Sequence, residues 1–247
     1  MAVLLLRLAG PLQSWGDSSR FARRNTRTSP TKSGVFGLLA AAQGRRRTDP
    51  IEDLLGLRFG VRVDQPGRLV RDFQTAIRWT SPKPAPMPLS YRYYLADAVF
   101  TAAVEGDHSL VQSLDEAVRS PAFPLYLGRR SCPPSRPVSM SVFDGSLVEV
   151  LREAPWQAAS WHRRELQREV RLEILVDADS SGGSQDIFPE EVRDLPQSWN
   201  PERREYLWRS VVSVDPVLVD NPIGRADRRS ASSEPDFFAE VGGVPCT

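Results

Sequence analysis

The run Ala2–Pro11, AVLLLRLAGP, is apolar at nearly every position and is closed by a glycine and a proline. An uninterrupted apolar run of this length suits a strand buried on both faces, because a half-exposed strand would alternate. The chain is therefore expected to begin with a central strand, and the elements that follow must cover both of its faces. At 247 residues it can bury a full core, as one large domain or, the expectation here, as two packed units.

Outward from that strand lies Ser19–Arg47, SRFARRNTRTSPTKSGVFGLLAAAQGRRR, a basic loop set against an apolar helix. Pro30 stops the loop, Thr31 or Ser33 can cap the helix, and Val35, Leu38, Leu39 and Ala42 share one face over about three turns. Gly44 ends it, and Arg45–Arg47 complement the negative helix end. Gly34 and Gly37 lie one turn apart and allow a close approach by a sheet or a ligand backbone.

Further on, Leu57–Val63, LRFGVRV, alternates as a strand before the turn residues Asp64-Gln65-Pro66-Gly67. Thr80–Leu89, TSPKPAPMPL, carries four prolines and predicts a protruding arm, inserted at about residues 76–95. Tyr91–Val104 reads as one long strand, Asp107 caps a helix over His108–Arg119, and Leu125–Leu127 is read as the start of another strand. The order strand, helix, strand, strand, helix, strand predicts an α+β fold with a ferredoxin-like, RNA-recognition-motif-like domain over residues 1–145. Residues 146–215, with strands at Val170–Val176 and Tyr206–Val214, predict a small, mainly β C-terminal domain with its own sheet. Ser180–Gln185 reads as a Gly/Ser loop, and 216–247 as a partly disordered tail with only Phe237-Phe238 as an apolar anchor.

Lys plus Arg number 32 and Asp plus Glu 31, so the basic loop is a local concentration of charge and not part of a cationic coat. Arg20, Arg23, Arg24, Arg27 and Lys32 beside the start of a helix predict a phosphate site on a polyanion. A run of arginines is most often an ordinary solvated face. Adjacency argues otherwise here, with Trp15 and Phe21 available for stacking and a second basic loop at Gly128–Pro134, GRRSCPP, holding Arg129, Arg130 and Ser131. The two loops are expected to converge on one groove. Gln74 and Thr75 lead into the arm and Arg92 leads out between tyrosines, framing its base with groups that can clamp a splayed nucleotide.

Other chemistries fit less well. Lys32-Ser33 lacks the preceding glycines of a nucleotide-binding loop. The only histidines, His108 and His162, lie outside the basic loops, which disfavours metal-free RNA cleavage by a histidine base. No carboxylate cluster has metal spacing, and no cofactor is expected. Cys132 reads as a small buried thiol, and Cys132 with Cys246 makes no disulfide framework. The N-terminal run is too short for a signal or a membrane span, so a soluble cytoplasmic protein is expected.

The segments LRLAGPLQSWG, RTSPTKSGVFGLLAAAQG, FGVRVDQPG, RDFQTA, YRYYLADAVF and YLGRRSCP together resemble the CasD-type subunits of type I-E CRISPR Cascade complexes, in the RAMP superfamily. Order and spacing agree from Met1 to about Ser213, and P-T-K-S-G with G-R-R-S-C-P is the specific combination. The resemblance implies that the Pro-rich arm is a β-hairpin thumb and that the subunit caps the 5′ handle of crRNA. It implies RNA contacts by Arg24, Arg27, Thr31, Lys32, Arg129, Arg130 and Ser131, and a place for Arg92 near the RNA kink. The partners implied are the backbone subunit CasC, the large subunit CasA and, through the complex, CasB, CasE and target DNA. Relatives that cut repeat RNA use Tyr, Lys and His; no matching triad is found here, which implies the non-catalytic branch. A metal-independent endoribonuclease and a purely structural adaptor remain as alternatives.

Overall fold

A computed structural model describes residues 1–16, 23–80, 83–181 and 188–226. The first part of the chain forms β1 (Ala2–Ala9), β2 (Leu12–Gln13), β3 (Arg23–Arg24), α1 (Lys32–Ala42), α2 (Glu52–Leu55), β4 (Arg58–Gln65) and β5 (Arg68–Gln74). The middle forms β6 (Ile77–Arg78), β7 (Ala85–Pro86), β8 (Ser90–Ala96), β9 (Val99–Gly106), α3 (His108–Arg119), β10 (Ser139–Asp144) and α4 (Leu147–Glu153). Then come α5 (Ser160–Glu165), β11 (Glu169–Asp177), β12 (Glu190–Ser198) and β13 (Glu205–Asp220).

Seven strands make one sheet in the order β10-β1-β9-β4-β11-β13-β12, every pairing antiparallel. β1 sits inside it, and its apolar run is explained by coverage on both sides. Leu4, Leu6 and Leu8 face a core built with α1 and α3, whereas Val3 and Leu5 face Leu147, Val150 and Leu151 of α4. Among the described residues no helix is long and apolar enough to cross a membrane.

α1 forms where its signals place it. The Thr31 hydroxyl accepts from the Gly34 amide, Val35, Leu38, Leu39 and Ala42 are buried, and Gly44 leaves the helix at φ +80. Phe36 meets Phe59 of β4 edge to face at 6.1 Å. Asp107 caps α3 through the amides of Ser109 and Leu110.

Four expectations are corrected. Tyr91–Val104 is not one strand: it breaks at Asp97, φ 55, into β8 and β9. The break belongs to a corner that three neighbours turn together, since Pro11 precedes β2, Gly67 precedes β5 at φ +74, and both Leu12 and Arg68 pair with Ala96. Beyond the corner β2, β3, β5 and β8 form a small second sheet. Leu125–Leu127 is no strand, because its backbone serves a loop, and the sheet takes β10 instead. The C-terminal strands build no separate sheet; β11 joins the first through β4. The tail does not begin at Pro216, because β13 runs to Asp220. The arm is a hairpin base, β6 on β7, closed by the Met87 amide on the Ala76 carbonyl at 2.8 Å. Expectations for Arg20, Phe21, residues 182–185 of the Gly/Ser loop, Phe237-Phe238 and Cys246 lie outside the described residues.

Candidate nucleic-acid interface

Ser14 and Trp15 are the hub on which the basic segments are mounted. Trp15 is 1% exposed and its indole donates to Gln13 Oε1 at 3.0 Å, so it does not stack on a ligand as expected; its ring instead supports Gly34. A Cβ on Gly34 would stand 2.8 Å from that ring, which is why glycine occupies this place in the first turn of α1. The first basic loop returns to the hub through the Arg27 amide on the Trp15 carbonyl at 2.7 Å and Thr26 Oγ1, which accepts from the Trp15 amide at 2.8 Å. The second loop is anchored by the Ser14 amide on the Leu127 carbonyl at 3.1 Å. Gly128, at φ +84, lies so close that a Cβ would come within 1.8 Å of the Ser14 carbonyl oxygen. The loop then closes on itself, Leu127 amide to Cys132 carbonyl at 2.7 Å.

The predicted residues divide. Arg24 pairs with Arg92 in a parallel bridge, its side chain exposed; Arg92 is half-buried, its Nε without a hydrogen-bond partner. Arg129 is a strut: it donates to the carbonyls of Tyr93 (3.1 Å) and Arg24 (2.8 Å) and lies 4.7 Å over the Tyr94 ring. Arg24, Arg92 and Arg129 are thus brought together. Arg130 and Ser131 are exposed, and Arg27 holds Glu190 at 2.5 Å. Gln74 accepts the Ser90 hydroxyl through its carbonyl, and Thr75 is exposed at the arm's entry. Burial pushes the Cys132 thiol up, against the opposing Ser131 hydrogen bond and Arg129 charge.

Lys32 departs most from expectation. It is 5% exposed, its ammonium bonds Asp177 at 2.8 Å, and its amide donates to Asp194 at 2.7 Å. The helix start that was to receive a phosphate already holds a protein carboxylate. Arg209 closes the network, 2.6 Å from Asp177 and 2.6 Å from Asp194. Burial opposes its charge, but the hydrogen bonds and charges of Asp194 and Asp177 prevail and raise its pKa. The two cations and two anions of this network cancel.

Above α1 the surface is different. A groove of about 1130 Å³ runs along the helix from Thr31 and Ser33 at one end, where Gly128 and Arg130 also line it, to Arg45, Arg46 and Arg47 at the other. Trp199, Arg204 and Tyr206 form its far wall, and no carboxylate among the described residues lines it. Gly128 and Arg130 of the second basic loop line this groove with Thr31 and Ser33 of the helix start, whereas Arg23, Arg24 and Arg27 of the first loop do not, and Lys32 turns away. Arg45 is held by Asp53, with 2.6 Å for the Nη1–Oδ1 pair, an interaction that raises the arginine pKa and lowers that of the carboxyl. Arg46, Arg47, Arg130 and Arg204 have no ion pair among the described residues. Sequence reasoning assigned Arg45–Arg47 only to the helix end and missed the far wall; the visible signal was the pair of runs GRRR and WNPERREY. His108 and His162 do not line the groove, and burial lowers the His162 pKa against the pull of Glu165.

A family model described as CRISPR-associated protein (Cas_Cas5) matches residues 3–212. The chain is 35% identical, over 161 residues, to the CRISPR system Cascade subunit CasD of Escherichia coli (strain K12), covering 58% of this chain and 72% of that protein. Among solved structures it is similar to a chain of a CRISPR RNA-guided surveillance complex, at 31% identity and a TM-score of 0.72 over 92% of this chain and 95% of the other. A solved Cas protein is similar at 36% identity, with a TM-score of 0.65 over 89% and 95% of the two chains.

Proposed function

Because the chain belongs to the CRISPR-associated Cas5 family, we propose that it is a non-catalytic, CasD-type subunit of a type I-E Cascade complex that caps the 5′ handle of crRNA. The observation that carries this reading is the mounting of two remote arginine segments on Ser14-Trp15, so that Arg24, Arg92 and Arg129 cluster while Ser33 and Arg130 open on one groove. Exposed arginines on a rigid base suit a phosphodiester strand that must be held in one register. The antiparallel order β10-β1-β9-β4, with α1 and α3 on one face, supports a ferredoxin-like reading of residues 1–145. The hairpin over β6 and β7 is the thumb, docking on the backbone subunit CasC; CasA, CasB, CasE and target DNA join through the complex, in the cytoplasm.

Arg24 and Arg130 are the phosphate contacts, Arg92 and Ser131 lie along the same track, and Arg129 acts by holding Arg24. Reversing Arg24 and Arg130 to glutamate is expected to abolish crRNA retention in the assembled complex, read by extracting RNA from purified particles. Retention at the wild-type level would overturn the assignment. Purified wild-type protein alone, free of the other subunits, is expected to leave repeat RNA intact in EDTA; cleavage would favour the endoribonuclease alternative.

A further inference from the structure

The groove over α1 extends well past the residues assigned above, and its remote half has its own chemistry. Arg46, Arg47 and Arg204 are exposed and unpaired among the described residues, and Trp199 and Tyr206 stand beside them. The floor is bare helix: a Cβ placed on Gly37 would have Trp199 as its nearest neighbour, at 4.0 Å. We propose that this half is a second RNA subsite, in which the strand held at Arg130 continues along α1 with phosphates on Arg46, Arg47 and Arg204 and a base stacked on Trp199. The proposal rests on the RNA-binding reading and adds the path and the residues.

Three observations select a nucleotide strand. At about 1130 Å³ the groove exceeds the ~300–1,000 Å³ of a small-molecule pocket. An acidic peptide would be served by the arginines alone, whereas interleaved aromatic and cationic side chains are what splayed bases and phosphates require. The 11 residues of α1 span about 16 Å, room for on the order of five nucleotides at ~3.4 Å each when stacked. Gly37 then has a purpose that helix stability does not supply, since glycine inside a helix is unfavourable.

The test uses purified full-length protein and fluorescent single-stranded RNA of the repeat-derived 5′ handle of crRNA, titrated at several salt concentrations. Removing two phosphate contacts with Arg46→Ala/Arg47→Ala is expected to lower the log–log salt slope by about 1.4 and to weaken binding about 25-fold near 0.1 M salt. Arg46→Lys/Arg47→Lys should restore the slope. Gly37→Leu should fill the groove and weaken binding about tenfold without lowering the melting temperature, an outcome that a merely structural glycine would not produce. Wild-type affinity and slope in all these variants would overturn the subsite. If wild type binds and Arg24→Glu/Arg130→Glu abolishes binding while these variants do not, only the subsite fails; if wild type shows no salt-dependent binding, the RNA-binding reading itself fails. Polyglutamate binding as tightly as RNA, and unaffected by Trp199→Ala, would overturn the nucleotide assignment.

Discussion

The two sides of α1 use the same kinds of charged side chain to opposite ends. Beneath the helix, Lys32 and Arg209 are buried against Asp177 and Asp194, and the four charges fasten α1 to β11, β12 and β13. Above it, Arg46, Arg47, Arg130 and Arg204 face solvent in a groove lined by no carboxylate among the described residues. The difference lies in what the neighbouring strands bring. β12 delivers a carboxylate to the inner side of the helix, and the segment from Trp199 to Tyr206 delivers an indole, a guanidinium and a phenol to the outer side. A cation is free to bind a partner only where the fold has withheld its counterion.

Removing a buried counterion is the harshest test of this contrast. Asp194→Ala leaves the Arg209 guanidinium short of a charge partner and the Lys32 amide without an acceptor, and is expected to cost about 3–5 kcal/mol in urea unfolding. A loss below about 1 kcal/mol would mean that the network does not hold the helix. Lys32→Met should cost less, about 1–2 kcal/mol, because Asp177 keeps Arg209 and the Phe59 amide. The same variant sharpens the comparison on the binding side: its RNA salt slope should equal that of wild type. A fall of about 0.7 would put Lys32 on a phosphate after all.

The parts legible in the sequence were those decided within a turn or two of chain. The Thr31 and Asp107 caps, the apolar run of β1 and the prolines of the arm each carry their own physical reason, and the motifs PTKSG and GRRSCP disclosed the family. The corner at Asp97 was hidden because it depends on three strands bending at one level, at Pro11, Gly67 and Asp97. β12 was hidden because Asp194 occupies an inward position, and a carboxylate there reads as exposed until Arg209 is known to meet it. Lys32 and Trp15 misled for the same reason. Their types suggested a ligand, and remote partners, Asp177 for one and Gly34 for the other, took the place of that ligand.

The smallest expected effect comes from α5, which lies between the two extremes of burial. His162 rests beside Trp161, ring centroids 5.6 Å apart, and burial holds its pKa below the ordinary value. A depressed folded-state pKa means that the unfolded chain takes up the proton first, so the contribution is complete above about pH 6.5 and declines as pH falls through the folded value. The side chain is only partly buried and water still screens it, so the loss should stay below about 0.5 kcal/mol. Melting temperature should therefore fall slightly less between pH 7 and pH 5 in His162→Gln than in wild type. Below that window Asp53 and Asp107, both with lowered pKa values, should lose stabilisation equally in the two proteins. Parallel curves across the upper window would show that the α5 histidine is as well solvated as the groove arginines, and would move α5 to the open side of the comparison.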